Sequence, residues 1–249
     1  MADVKVTWLG HGSMMASWDN KVVFMDPFFG NPNCKMKMED VKTATAVLVT
    51  HGHNDHIGNS FEICKKTGAT LICSPEIGIY ADSKGIKWDI GSYPMNAGGS
   101  WRGDGFTVYV TQAQHSSDIL GEEYDKSGTI LPGSGCYGYV LDIDGGATIY
   151  FSGDTDVFGD MAIIRELYAP NVGIVSCGGR FTMTYAGGAL AASLLGVDYF
   201  IPMHFNTFAF NQLDRDKLES AMKVRAPHCK LVRIEPMQSF TCPVCSCKG

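Results

Sequence analysis

The hydrophobic segments of this chain are short at first and are separated by turn residues, which predicts an opening set of strands. Such segments occupy residues 4–9, 13–18 and 21–25, and the last two are joined by an Asp-Asn turn. A continuous apolar run follows at residues 46–49, and its β-branched content is typical of a buried strand. We therefore expect a β-meander followed by a strand in the interior of a sheet.

Helical spacing of apolar residues begins after this strand and recurs in the second half of the chain. The predicted helices cover residues 60–66, 75–83, 160–168, 184–195 and 214–225. The remaining predicted strands cover residues 70–73, 87–90, 99–102, 106–111, 136–143, 147–151, 172–176, 199–202 and 231–234. The order of strands followed by alternating helices and strands occurs twice, which predicts two facing sheets with helices on their outer sides. No linker-like segment separates the two halves, so we expect one domain.

Metal-ligating side chains are concentrated directly after the predicted strand at residues 46–49. Three imidazoles and one carboxylate lie there within six residues: His51, His53, Asp55 and His56. These groups suit Zn, Fe, Mn or Ni. Gly52 is expected to let the backbone fold tightly enough to aim its neighbours at one point. A solvated turn with incidental histidines is the alternative, but four such residues in a chain with seven histidines favour a metal site.

A site for two metals needs about seven or eight protein ligands, one of them a carboxylate that can bridge. Three further candidates each follow a predicted strand: His115, Asp154 and His204. The sequence therefore offers a full set of donors at the ends of strands.

This ordered series of ligands resembles that of the metallo-β-lactamase superfamily, and the match runs nearly end to end. Segments 8–13, 25–28, 178–183 and 201–208 resemble the subgroup of metal-dependent hydrolases related to L-ascorbate-6-phosphate lactonase. The resemblance implies an α/β fold, a four-layer αββα sandwich with mixed sheets, with the metals at one edge between the sheets.

The resemblance also implies a role for each candidate ligand. The first metal would be held by His51, His53 and His115, the second by Asp55, His56 and His204, with Asp154 as the bridge. Asp26 would hydrogen-bond a ligating imidazole and fix its tautomer. The implied catalytic residues are Asp55, Asp154 and His204, and Asp154 or a water on the substrate side would return a proton to the leaving group.

Two divalent ions, zinc first and Mn, Ni or Fe as alternatives, would provide the chemistry. They lower the pKa of a shared water from about 15.7 towards neutrality, and one of them polarises the carbonyl or phosphoryl oxygen under attack. The predicted activity is that of a binuclear hydrolase, lactonase-like or phosphodiesterase-like, acting on a small anionic substrate.

Four residues outside the ligand series are candidates for binding the substrate, and each has a structural alternative. His11 would line the pocket or bond its own turn, and Ser116 would contact substrate or satisfy loop backbone groups. Arg180 would hold a phosphate or carboxylate or lie on the surface. Asn206 would orient substrate or cap its local turn.

Charge and composition narrow the partners. The chain has 20 Lys and Arg against 26 Asp and Glu, a net charge of -6 and no basic run, which argues against nucleic acid. It shows neither a signal peptide nor an apolar run long enough to span a bilayer, so a cytoplasmic protein with no membrane partner is predicted. Analogy with the lactonase relatives predicts a homo-oligomer.

Three other functions are alternatives to the hydrolase. A nuclease of the same superfamily would want a basic surface or an added arm, and this acidic chain shows neither. An iron-dependent redox enzyme is the second rival, although the diiron type has an appended flavin domain and replaces a His ligand with a carboxylate. A silent binding module is the third, and the intact ligand set argues against it.

The last residues form a segment rich in cysteine. We expect a hydrolase domain over residues 1–240 and a tail over residues 241–249 that contains Cys242, Cys245 and Cys247. These thiols, with Cys229 as a fourth, would bind a metal or would simply be free in a reducing compartment. Nine cysteines, most of them in or beside apolar segments, fit a reduced protein better than a disulfide framework.

Overall fold

Two seven-stranded sheets form the centre of the structure, a computed structural model that describes residues 3–120, 122–133 and 135–245. The strands of the first sheet are β1 (Val4–Gly10), β2 (Ser13–Trp18), β3 (Lys21–Met25), β4 (Ala46–Leu48), β5 (Thr70–Cys73), β6 (Ser92–Pro94) and β14 (Ser239–Cys242), in the order β14-β1-β2-β3-β4-β5-β6. The strands of the second are β7 (Ser100–Gly103), β8 (Phe106–Gln112), β9 (Tyr137–Ile143), β10 (Thr148–Phe151), β11 (Val172–Ser176), β12 (Tyr199–Met203) and β13 (Lys230–Leu231), in the order β13-β12-β11-β10-β9-β8-β7.

Both sheets are mixed in the same way. In the first, β14 to β3 are antiparallel neighbours and β3 to β6 are parallel. In the second, β7 to β10 are antiparallel and β10 to β13 are parallel. The parallel strands are joined through helices, as parallel pairing requires.

The α-helices pack against the sheets or lie in the connections between strands. They are α1 (Asn54–Ile57), α2 (Ser60–Thr67), α3 (Pro75–Ser83), α4 (Glu122–Ser127), α5 (Met161–Tyr168), α6 (Tyr185–Leu195) and α7 (Arg215–Arg225), with a 3₁₀ turn at Met38–Asp40. Helices α2 and α3 contact strands of the first sheet, and α6 contacts the second sheet with α5 and α7 beside it. These layers confirm the predicted αββα sandwich.

The two-residue period of β4 shows how the first sheet separates two hydrophobic cores. Ala46 and Leu48 pack into the core between the sheets, whereas Val47 and Val49 pack into the core beneath α2 and α3. Successive side chains of a strand point to opposite faces, so a strand buried on both sides is continuously apolar. The apolar run at residues 46–49 is therefore explained by burial on both faces.

Three details differ from the expectations. Residues 87–90 form a turn rather than a strand, because the Lys87 carbonyl accepts the N–H groups of Ile90, Gly91 and Ser92 and Asp89 has φ +55°. The pairing predicted at 231–234 ends early, with β13 at Lys230–Leu231. The residues between β8 and β9, for which no element was predicted, contain the short helix α4.

A strand that the sequence did not indicate, β14, pairs antiparallel with β1 and crosses the boundary predicted between residues 240 and 241. Val4 lies opposite Cys242, and both residues are buried. Cys245 is also buried, and its N–H donates to the Gly146 carbonyl. Cys247 lies outside the described residues. In the described part of the chain, no helix is long and apolar enough to cross a membrane.

Candidate metal centre

The predicted ligands lie together at one edge of the sandwich, where several strands of both sheets end. His51 and His53 follow β4, and Asp55 and His56 lie on the single turn of α1. From the second sheet, His115 follows β8, Asp154 follows β10 and His204 comes directly after β12. Both sheets therefore contribute donors to one cluster.

The first group of donors contains three imidazoles, those of His51, His53 and His115. His51 Nε2 lies 2.9 Å from His53 Nδ1, and one nitrogen from each of the three rings lies within 4.8 Å of the others. The His115 ring centroid is 5.1 Å from that of His51 and 5.2 Å from that of His53. Three neutral imidazoles arranged this way are a common set of ligands for one divalent ion.

The second group surrounds the Nε2 atoms of His56 and His204. Asp55 Oδ2 lies 3.6 Å from His56 Nε2 and 3.5 Å from His204 Nε2. Asp154 Oδ2 lies 3.4 Å from the first nitrogen and 3.1 Å from the second. Ligand atoms of a tetrahedral ion with bonds of about 2.1 Å are about 3.4 Å apart, so these separations fit shared coordination.

Asp154 connects the two groups. Its Oδ2 atom is also 3.8 Å from His115 Nε2, which belongs to the first group. Its carboxylate is buried and its Oδ1 atom has no hydrogen-bond partner among the described residues. The position expected for a bridging carboxylate is therefore occupied by Asp154.

Several donor atoms in the centre are buried without a partner in the described part of the chain. They are His56 Nε2, Asp154 Oδ1 and both ring nitrogens of His204. Leaving one such group unsatisfied costs roughly 1–3 kcal/mol, so proteins rarely do so without a reason. A set of nitrogen and carboxylate donors left unpaired around shared points fits divalent metal ions.

Hydrogen bonds from outside the cluster fix the orientation of two ligating rings. Asp26 accepts the His56 Nδ1–H at 2.7 Å and the Thr50 hydroxyl at 2.6 Å through Oδ2, and the Thr50 N–H at 2.8 Å through Oδ1. Because the Thr50 hydroxyl donates to Asp26, its oxygen accepts from His51 Nδ1, 2.9 Å away. In its neutral form each of these imidazoles therefore carries its hydrogen on Nδ1, which leaves Nε2 free on the side of the cluster.

Comparison with known proteins agrees with this geometry. The chain matches the model of the β-lactamase superfamily domain over residues 16–205. It is 37% identical to a UPF0173 metal-dependent hydrolase of Archaeoglobus fulgidus over 238 residues, 95% of this chain and 98% of the relative. The chain belongs to the UPF0173 metal-dependent hydrolase family.

Other UPF0173 relatives and a solved structure extend the match. A UPF0173 hydrolase of Methanosarcina mazei is 37% identical over 96% of this chain and 99% of its own length. The solved structure of Igni18, described as a metallo hydrolase of Ignicoccus hospitalis, is 33% identical with a TM-score of 0.82, over 96% of this chain and 97% of that one. Membership of the metallo-β-lactamase superfamily is therefore confirmed.

Electrostatics in this UPF0173 centre favour the forms of the side chains that bind metals. Burial, together with the neighbouring His56, holds the pKa of His51 well below its usual value, so its imidazole is neutral. Burial works against ionisation of Asp154, but His204 and His56 hold its pKa well below the usual range. Burial lowers the pKa of His56, yet Asp154, Asp55 and Asp26 outweigh it and the net pKa is well above normal. A cation at His56 is therefore favoured, whether proton or metal.

Of the two positions expected for His11, a place in the pocket or a bond to its own turn, the structure shows the first. Its Nε2 atom is 2.9 Å from Asp55 Oδ2, its Nδ1 atom is 3.0 Å from Thr207 Oγ1, and its ring centroid is 3.8 Å from that of His204. The His11 carbonyl accepts the indole N–H of Trp8 and the backbone N–H of His204. His11 therefore holds the Asp55 carboxylate and joins the turn after β1 to the end of β12.

The other three candidates for substrate contact lie in different settings. Ser116 lines the cavity beside the donors, and its Oγ atom is 3.3 Å from His53 Nε2. Arg180 is exposed and stands over two aromatic rings, 5.1 Å from the Phe181 centroid and 5.8 Å from that of Phe210. Asn206 is exposed, and its Oδ1 atom accepts the Leu213 N–H at 3.0 Å, which is the capping alternative.

The backbone is unusual at several of these positions. Three non-glycine residues at strand ends have positive φ, namely His11 (+53°), Asp26 (+45°) and His204 (+61°). Such conformations are uncommon outside glycine and are often found at functional sites. Gly52 is needed for a different reason from the one expected, because a Cβ atom there would lie 2.3 Å from the Ser117 carbonyl oxygen.

A cavity of about 380 Å³ opens beside the donors of this UPF0173 chain. His11, His53, Asp55, His115, Asp154 and His204 line one side, and Phe181, Phe208, Phe210 and Leu120 line another. The sequence did not indicate that these aromatic residues line the cavity, although two of them follow His204 within six positions. Among the described residues, none of the donor clusters includes a cysteine, so the predicted role of the cysteine-rich tail in metal binding stays a prediction.

Proposed function

We propose that this chain is a binuclear metal-dependent hydrolase that opens a lactone or cleaves a phosphoester in a small substrate. The observation that carries the proposal is the place of Asp154 Oδ2, which lies within 3.8 Å of donor nitrogens in both groups. One carboxylate between two sets of ligands is the arrangement that a pair of ions requires. Membership of a family of metal-dependent hydrolases supports the reaction type.

The described donors divide naturally between two ions. His51, His53 and His115 would hold the first, Asp55, His56 and His204 the second, and Asp154 would contact both. Bound there, two divalent ions supply Lewis acidity, which makes water acidic enough to provide hydroxide near neutral pH and polarises the oxygen of the bond under attack. Zinc is our first choice, because five of the seven proposed ligands are imidazoles: His51, His53, His56, His115 and His204.

The residues of the chain orient this site and limit access to it. Asp26 and Thr50 hold the rings of His56 and His51 in the tautomers that leave Nε2 free to bind. His11 holds the Asp55 carboxylate by a hydrogen bond on the side of the cavity. Burial raises the pKa of Asp154, but His204 and His56 lower it further, so the carboxylate stays ionised at neutral pH and is available to contact both ions.

The first experiment measures the metal content of the purified protein and its turnover of lactone and phosphoester panels. We expect about two equivalents of a divalent metal and hydrolysis of one panel. Iron as the dominant metal, with oxygen or persulfide consumption and no hydrolysis, would overturn the proposal in favour of a redox enzyme. Cleavage of RNA or DNA in place of both panels would instead favour the nuclease alternative.

The Asp154→Ala variant tests the bridging role directly. It should lose most of one metal equivalent, because the carboxylate between the two groups of donors is removed. The matched control is Asp156→Ala, which removes an exposed carboxylate two residues away. Full metal content in the Asp154→Ala variant would contradict the bridge. The homo-oligomeric state and the cytoplasmic location expected from the sequence remain predictions.

A further inference from the structure

Three aromatic rings at the mouth of the cavity are unusually exposed. The exposed fractions are 51% for Phe181, 36% for Phe208 and 46% for Phe210. The rings of Phe208 and Phe210 are stacked with centroids 5.3 Å apart, and Phe181 meets Phe210 edge-on at 5.7 Å. Together with Leu120 they form an apolar wall, and we use that term for these four residues below. A cluster of exposed apolar side chains beside a polar cavity is typical of a ligand site.

The loop that carries two of these rings is held in place by hydrogen bonds. Asn211 accepts the Phe208 N–H at 2.7 Å through Oδ1 and donates to the His204 carbonyl at 3.3 Å. Gln212 Nε2 donates to the Phe208 carbonyl at 2.8 Å. The apolar wall is therefore tied to the same segment that positions the ligand His204.

Phe208 also contacts the metal centre itself. Its ring centroid lies 5.4 Å from that of His11, in an edge-on arrangement. His11 is in turn bonded to Asp55, one of the proposed ligands. A group seated on the wall would thus lie next to the donors of the metal centre.

The charges of the residues that line the cavity bear on the choice between an acyl and a phosphoryl substrate. None of the described residues that line this cavity is Lys or Arg, whereas Asp55 and Asp154 are both acidic. A phosphate monoester carries about -1.5 to -2 charges at neutral pH and is usually met by Arg or Lys. Arg180 is not among the lining residues, because its guanidinium lies over the faces of Phe181 and Phe210 at the rim. The proposed ions would neutralise these two carboxylates, so a phosphate would depend on the metals alone for charge pairing, whereas the wall offers contacts to an uncharged apolar group.

We infer that the substrate is a carboxylic ester or lactone with an aromatic or alkyl substituent that packs on the apolar wall. This inference rests on the proposed function and chooses between its two bonds. In the reaction, water gives its oxygen to the acyl carbon and a proton to the alcohol oxygen as the C–O bond breaks, and an acid and an alcohol result. The wall binds the substituent, and the donors hold the metals at the acyl group.

Binding of product-like acids to the metal-loaded protein tests the inference without turnover. Isothermal titration calorimetry would compare acetate, hexanoate and phenylacetate, and separately inorganic phosphate and glucose 6-phosphate. Because burial of each CH₂ strengthens binding by about 0.8 kcal/mol, we expect the longer acids to bind at least roughly tenfold more tightly than acetate. Glucose 6-phosphate should bind no more tightly than phosphate.

Truncation of the wall residues tests whether the apolar wall causes the preference for phenylacetate over acetate. The Phe208→Ala and Phe210→Ala variants should reduce the preference for phenylacetate over acetate to about threefold or less. The control is Val224→Ala, which removes an exposed apolar side chain, 83% exposed, from α7. If phenylacetate binds no better than acetate, or if the wall variants keep the full preference, the inference is wrong.

Hydrolysis of matched lactones separates this inference from the proposed function. Turnover of γ-butyrolactone at the same kcat/KM as an aryl-substituted lactone would refute the wall's role and leave the hydrolase proposal intact. A preference for phenylacetate without hydrolysis of any ester would refute the hydrolase proposal and retain an apolar binding site. A preference of roughly tenfold in kcat/KM for the aryl lactone, lost in Phe208→Ala, would support both.

Discussion

Asp26 makes three hydrogen bonds in a fully buried position, and its replacement is the most informative perturbation of the centre. The Asp26→Ala variant leaves the Thr50 N–H, the Thr50 hydroxyl and His56 Nδ1 without their acceptor. Removing one partner of a buried charged pair costs about 3–5 kcal/mol. In a protein of this size, that loss lowers Tm by roughly 6–20 °C. Metal affinity should also fall by about 10–100-fold, because the tautomer of His56 is no longer fixed.

Two measurements check this expectation. Thermal unfolding of the protein after a chelator has removed its metal isolates the change in folding stability. Titration of the metal-loaded protein against a chromophoric chelator gives the metal affinity. The Asp26→Asn variant preserves the shape of the side chain but places an amide among donors, so it should retain more stability and still lose metal affinity. The Asp104→Ala control removes an exposed carboxylate that pairs with Lys21 and should change neither quantity. Wild-type Tm and affinity in Asp26→Ala would refute the reasoning.

Three further predictions follow from the same geometry. Thr50→Val removes the hydroxyl between Asp26 and His51 and should weaken metal binding about tenfold. The same chelator titration measures this affinity, and an unchanged value would show that the hydroxyl does not orient the His51 ring. Gly52→Ala places a Cβ atom against the Ser117 carbonyl and should lower the free energy of unfolding by about 1–3 kcal/mol, measured by urea unfolding. A urea midpoint equal to that of the wild-type protein would refute the close approach. Burial lowers the pKa of His56 but its carboxylates raise it above 6.5, so protons should compete with metal to higher pH than at an ordinary histidine. Apparent metal affinity should then still rise as the pH increases above 6.5, and a flat profile there would contradict this sign.

The metal centre could be anticipated from the sequence because its ligands follow a simple topological rule. Donors placed after strands of one sandwich meet at one edge, so His115, Asp154 and His204 could be found from the strands before them. The link between His11 and Asp55 could not, because it joins residues 44 positions apart through a turn whose positive φ no pattern indicated.

The features that were missed have weak local signals. Strand β14 has a single buried residue, Cys242, and pairs with β1 at the edge of its sheet, so no hydrophobic period indicates it. Residues 87–90 contain Trp88 and Ile90 and suggested a strand, yet both side chains are exposed in a turn. Phe208 and Phe210 are hydrophobic residues in a polar loop, and only the cavity beside them distinguishes them from core residues.

The pairing of β14 with β1 has a consequence for synthesis of the chain. During translation β1 is made more than 200 residues before its partner. Until that partner is made, one side of β1 presents unpaired N–H and C=O groups, and such open edges invite pairing with other chains. Nascent or prematurely terminated molecules are thus exposed to aggregation through β1, and pairing with β14 removes this hazard.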